Sequence, residues 1–242
     1  MPESLLFKHP SYRNLDSFML ATVIYYSTVD FCRKNISSSR QQEQMIQAAR
    51  SGRQNIAEGS ERASTSVETQ LKLTDVARAS LVELQLDYED FINLSGNLPW
   101  PEDAPECFEL WNLRLARMET SDFSPHTFSK MVAENREKLN VWLNPEDPLR
   151  VANTLIRLCD HANTLLQKQL DSIGQRFTEE GGFREKLTRV RLEIRDNETP
   201  KCPLCDKPMN KRKAKSGPNA GNYFWGCTGF KEGCNGTRPC ED

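Results

Sequence analysis

Five of the eight cysteines, Cys202, Cys205, Cys227, Cys234 and Cys240, crowd the last forty-one residues. Cys202-Pro203-Leu204-Cys205, twenty-one further residues, Cys227, six residues and Cys234 is a metal-ligand spacing. A Cys-x-x-Cys turn aims two thiolates at one ion, and a second pair after a loop closes a tetrahedral shell. Four sulfurs leave no open position, so the expected cofactor is a structural Zn2+ that cannot activate water. Cys240 is a fifth thiol, either an alternative ligand or free. Cysteines gathered in this way imply metal binding in a reducing compartment, and the cytoplasm is the expected location.

Between the two pairs lies a second chemistry. In an extended strand, alternation places Tyr223 and Trp225 on one face, where bases could stack on them. Lys207, Lys211, Arg212, Lys213 and Lys215 would meet phosphates. From Lys201 to Asp242 there are eight Lys or Arg against four Asp or Glu, in a chain whose net charge is −2, so positive charge is concentrated in the tail. The competing reading has the aromatics filling a tiny core while the lysines are solvated. Gly221-Asn222-Tyr223-Phe224-Trp225-Gly226-Cys227 with Phe230 resembles the four-cysteine fingers at the C-terminus of bacterial type I topoisomerases, over roughly 202–239. The resemblance implies a zinc ribbon that binds single-stranded DNA.

Other candidates for chemistry are sparse. Asp75, Glu83, Asp87, Glu89 and Asp90 are carboxylates of one helical stretch, and a two-metal nuclease would need partners converging from other elements. His9, His126 and His161 are isolated, and Ser51 and Ser80 lack an adjacent base, which suits packing between helices. Asn55 and Glu58 read as a buried polar contact to a neighbouring helix or subunit. The expectation is a protein that is not an enzyme.

The elements that must position these residues are helical. Tyr12 to Asn35 gives a first helix, with Leu15, Phe18, Met19, Thr22, Tyr25, Tyr26, Val29 and Cys32 in a wide stripe that Ala21, Val23, Ile24 and Phe31 extend. A helix apolar around most of its girth is central or touches another subunit. Ser38 and Ser39 start a second helix whose Met45, Ala49, Gly52 and Ile56 form a narrow face, for packing within one chain or between subunits. Gly59 suits a left-handed stop, and Thr65-Ser66-Val67-Glu68 reads as a capping box with Thr65 as the cap. The third helix then carries Val67, Leu71, Leu81, Leu84, Tyr88 and Phe91 on one face, with Leu73, Val76 and Leu86 off it, which suggests burial on two sides. Ser124-Pro125 and Asp147-Pro148 are further helix starts, and Leu155, Cys159, Ala162, Leu166, Gln169 and Ile173 stripe the last long helix. Gly181-Gly182 breaks the chain. Beyond it, Phe183, Leu187, Val190 and Ile194 line one side of a helix whose remaining surface carries Arg184, Lys186, Arg189, Arg191 and Arg195. Such a helix could lie on nucleic acid or dock on its own protein.

Ala48, Ser51, Asn55-Ile56-Ala57-Glu58-Gly59, Arg62, Ala77, Ser80 and Glu83 together resemble the core pattern of the four-helix-bundle proteins encoded by intervening sequences in ribosomal RNA genes. The same fold includes the accessory variability determinant of diversity-generating retroelements. The whole layout is most similar to the four-helix-bundle suffix subgroup. The resemblance implies an all-α, antiparallel up-and-down four-helix bundle that assembles as a ring, commonly a pentamer. The expected organisation is a bundle over 11–178 with a helical insertion at about 102–143, a basic amphipathic helix and linker over 183–196, and a zinc ribbon over 201–240. The insertion either lengthens the bundle or braces its end.

These readings converge on a homo-oligomeric scaffold that presents zinc ribbons to single-stranded DNA or RNA. By resemblance to the retroelement protein, the strand could be held for a partner enzyme such as a reverse transcriptase. The rival is a protein-protein adaptor whose zinc ribbon is only structural. No apolar run is long enough to cross a bilayer, so no membrane is expected.

Overall fold

The computed structural model describes residues 11–117, 124–143, 146–181 and 183–240, apart from the side chains of 180, 183, 184, 186 and 196–198. Among the described residues, seven α-helices are followed by three short strands: α1 (Asp16–Asn35), α2 (Ser39–Arg62), α3 (Val67–Leu94), α4 (Pro105–Asn112), α5 (Pro125–Lys138), α6 (Pro148–Glu180), α7 (Phe183–Glu198), β1 (Met209–Lys213), β2 (Tyr223–Cys227) and β3 (Thr237–Pro239). The chain divides into two compact units, one ending at Phe183 and the other beginning at Arg184. None of the described helices is long and apolar enough to cross a membrane.

The first unit is built on α1, α2, α3 and α6. Ser38, Ser66, Ser124 and Asp147 accept backbone N–H groups of the first turns of α2, α3, α5 and α6, satisfying donors that would otherwise be orphaned. Successive contacts fix the directions. Cys32 near the end of α1 meets Met45 near the start of α2. Ser80 of α3 donates to Ser51 of α2 at 3.1 Å. Arg176 near the end of α6 donates to Gln70 at the start of α3 at 3.0 Å, and Ser17 at the start of α1 donates to Gln169 at 3.2 Å. Each of these pairs is antiparallel. Tyr88 is fully buried, and its hydroxyl donates to Thr28 at 2.9 Å, a bond between α3 and α1 that satisfies the buried phenol.

Two expectations about chain termination are corrected. Gly59 does not end α2, which continues to Arg62. A Cβ on Gly59 would lie 3.3 Å from Leu73 Cβ, so the glycine serves close approach of α2 to α3. The cap of α3 is Ser66 rather than Thr65, whose hydroxyl instead donates back to the Arg62 carbonyl. Gly181, at φ +75, closes α6, and Gly182 lies outside the described residues.

Gly52 packs within the chain: a Cβ there would meet Leu81 Cδ2 at 2.9 Å. Glu58, in contrast, is exposed, and Asn55 donates to the backbone and hydroxyl of Ser51 in its own helix. Cys32 and Cys159 are core residues. Burial pushes the Cys32 thiol up to about 12 and Cys159 further in the same direction, so both stay protonated and serve packing.

The described helices of the 102–143 segment pack along the flanks of the helical unit. Phe128 of α5 lies 5.3 Å from Phe18 near the start of α1, and Arg136 near the end of α5 pairs with Asp30 near the end of α1. On the other side, Trp111 of α4 stacks on His161 of α6. The insertion therefore flanks α1 and the first half of α6, which explains why α1 is apolar around so much of its girth. Asn135 ties it down, bonding both the N–H and the carbonyl of Ala116.

Of the α7 stripe, Leu187 and Val190 are half-buried and Ile194 is exposed, as are Arg189, Arg191 and Arg195. The side chains of Phe183, Arg184 and Lys186 lie outside the described residues.

Candidate metal centre and the sheet face beside it

Three strands pair antiparallel in the order β1-β2-β3. Two turns bring the cysteines to one end of this sheet. In the first, the Cys202 carbonyl accepts the Asp206 N–H at 3.0 Å, and Asp206 adopts a left-handed φ of 58°, a conformation that aspartate tolerates better than most residues. In the second, a short 3-10 turn follows Cys227 and ends at left-handed Gly233 just before Cys234.

The Sγ atoms of Cys202, Cys205, Cys227 and Cys234 all lie within 4.8 Å of one another. Cys202 and Cys234 sulfurs are 3.6 Å apart, and those of Cys205 and Cys227 are 3.4 Å apart. A sulfur tetrahedron about 2.3 Å from a central zinc has edges of about 3.8 Å, so the quartet fits such an ion closely. Leu204 N–H points at Cys202 Sγ at 3.4 Å and Gly229 N–H at Cys227 Sγ at 3.2 Å. Backbone donors aimed at sulfur favour the thiolate. Gly236 is required by space, because a Cβ there would overlap Cys202 Sγ. Cys240 is outside this group, and among the described residues no other cluster of His, Cys, Asp or Glu is placed to hold a metal.

The quartet's acidity is uneven. Burial raises Cys202, but the N–H groups of Leu204 and Cys205 and the Cys234 and Cys227 thiols outweigh it and bring it down to about 7. Cys227 is pushed up to about 12 by burial and then by the Cys205 thiol. Several thiolates packed this tightly repel one another, and a divalent cation removes that repulsion.

The sheet register sorts the candidate binding residues. Lys211 pairs with Trp225 and Lys213 with Tyr223, so these four share one face, as alternation along β2 requires. Lys211 and Lys213 ammonium groups sit 5.3 and 5.8 Å from the Tyr223 ring centre. Tyr223 is 55% exposed, whereas Trp225 is only partly exposed and packs against Cys202, Met209 and Cys227. Trp225 thus takes part in both readings, tiny core and open face. Arg212 pairs with Phe224 on the opposite face, near exposed Phe230. Lys207 forms an ion pair with Glu232, which raises its pKa and neutralises its charge locally. Lys215 is exposed in the β1–β2 connection. Arg238 was not singled out from the sequence. It pairs with Trp225 from β3, which places it on the Tyr223 face opposite Lys211. A three-residue strand carries too little pattern for its register to be read in advance.

Searches against protein-family models, curated proteins and solved structures returned no match.

Proposed function

We propose that the chain is a non-enzymatic scaffold that binds single-stranded or structured nucleic acid through its C-terminal unit, a zinc ribbon with structural Zn2+ on Cys202, Cys205, Cys227 and Cys234. One observation carries this reading: Lys211, Trp225 and Arg238 form a row across one sheet face, and Lys213 with Tyr223 forms the next. Aromatic rings flanked by cations give a strand both things it needs, faces for its bases and counter-charges for its phosphates. The reading uses Lys211, Lys213 and Arg238 directly, with Lys215 and Arg212 at the margins and Lys207 supporting the metal end.

On this proposal the helical unit is an up-and-down four-helix bundle of the ribosomal-RNA intervening-sequence type, and copies assemble into a ring. The antiparallel contacts among α1, α2, α3 and α6 support the first part. The second is supported by Val76, Val82 and Leu86, which remain exposed on the side of α3 opposite its buried residues. Several ribbons on one ring raise avidity by about 10²- to 10⁴-fold when they engage one strand, so each needs only modest affinity. Such a ring could present its strand to a partner enzyme such as a reverse transcriptase.

The test is fluorescence anisotropy of labelled oligo-dT and oligo-U against salt. Affinity is expected to fall steeply as salt rises, and Tyr223→Ala to weaken binding about 5- to 100-fold with zinc content unchanged. Replacing Lys211 and Lys213 with Gln should lower the salt slope by about two. Salt-independent binding that ignores Tyr223→Ala would instead favour the adaptor reading.

A further inference from the structure

A cleft of about 330 Å³ opens between α4 and α6, at the small end of the usual range for ligand sites, about 300–1,000 Å³. Leu110 and Leu158, both buried, form its floor. Phe108 and Trp111 form its lip and remain 61% and 52% exposed. Trp111 stacks on His161 with ring centres 4.8 Å apart, so much of its indole still faces outward. The rim is acidic. Glu102 and Asp160 line the cleft, and Asp103 and Glu106 stand near enough to raise the Cys107 thiol. Arg157 is the cation among the lining residues, and Asp160 already holds it at 3.1 Å. Burial raises the Asp160 carboxyl, Arg157 offsets this only in part, and Glu89 and Glu102 push it up again. The cleft is therefore apolar within and short of positive charge at its edge. Cys107 adds no nucleophile, since its S–H donates to the Pro101 carbonyl and burial keeps it protonated.

From this charge pattern we propose that the cleft binds an arginine- or lysine-bearing peptide segment of a partner protein. An apolar neighbour and the aliphatic stem would lie on Leu110 and Leu158, with the cation between the Trp111 face and the Glu102 carboxylate. A cation gains over an indole face and beside a carboxylate, and the stem of Arg or Lys covers apolar surface while its head stays at the rim. The same carboxylates repel phosphates, so this site is separate in chemistry from the sheet face proposed for nucleic acid.

The experiment titrates full-length, zinc-loaded protein into a fluorescein-labelled peptide of alternating leucine and arginine, and into its twin with glutamate for arginine. Only the arginine peptide is expected to bind. Trp111→Ala should weaken it about tenfold, Trp111→Phe less, and Glu102→Gln about threefold, the last with an unchanged thermal melt because Glu102 is exposed. Three results would overturn the proposal: equal binding of both peptides, displacement of the peptide by a labelled mononucleotide, or a change in particle mass on Trp111→Ala without peptide binding, which would give the cleft to a second copy.

Discussion

Gly236 is the residue on which the metal site turns most sharply. Its missing side chain leaves room for Cys202 Sγ, and an added methyl would displace one of the four clustered sulfurs. Gly236→Ala is therefore expected to lower zinc retention by tenfold or more, an order-of-magnitude figure for a displaced ligand, read as faster release to a chelator dye. Asp87 offers a second test at this scale. Burial, then Glu83 and Asp90, raise its pKa from the ordinary aspartate value of 3.8 to about 6. A carboxyl raised on folding favours the protonated folded form, so its contribution is fully present below pH 3.8 and lost as pH climbs through 6. Asp87→Asn should raise the melting temperature relative to the parent chain at pH 7.5 and leave it unchanged at pH 3.5. Comparing the two chains at each pH cancels the titration of the metal site.

Among the elements, the α2–α3 contact shows how small residues set a helix pair's spacing. Gly52→Ala gains about 1 kcal/mol of helix propensity but overpacks a fully buried Leu81, a cost of about 1–3 kcal/mol. Urea unfolding should show a net loss of about 1 kcal/mol, and a smaller change for Gly59→Ala, where the nearest atom is 3.3 Å away. The same helices mark what could be read in advance. Helix starts were legible because Ser38, Ser124 and Asp147 each stand before a run of periodic apolar residues, and a cap is a local interaction. Adjacent Thr65 and Ser66 can both cap, and only backbone geometry chose Ser66. Gly59 was misread because a glycine past a helix end and a glycine inside a close helix contact look alike until the facing helix is known. The Cys quartet was fully legible, since metal ligands must recur at set spacings. Arg238 was not, because its place depends on pairing with a strand eleven residues away.

At the scale of the molecule, the chain keeps α1 to α6 in one compact unit and nearly all of α7, the strands and the cysteine quartet in the other. The helical unit has its own continuous core, whereas the C-terminal sheet buries little besides Cys202, Met209 and Cys227. On the proposed reading, a unit with so small a core would draw its stability from a metal on the four cysteines. Treatment with a strong chelator should therefore abolish oligonucleotide binding while leaving the far-ultraviolet helicity of α1 to α6, and the particle mass, unchanged. Loss of helicity in step with zinc would show instead that the two units fold as one.

Trp225 leans one side of its indole on the thiol cage and shares its strand face with Lys211 and Arg238. If a polynucleotide stacks there, its seat and the cage have a common wall. Stripping the ion would tilt that wall although every lysine stayed in place, so metal supply, more than charge, would govern how tightly the tail holds on.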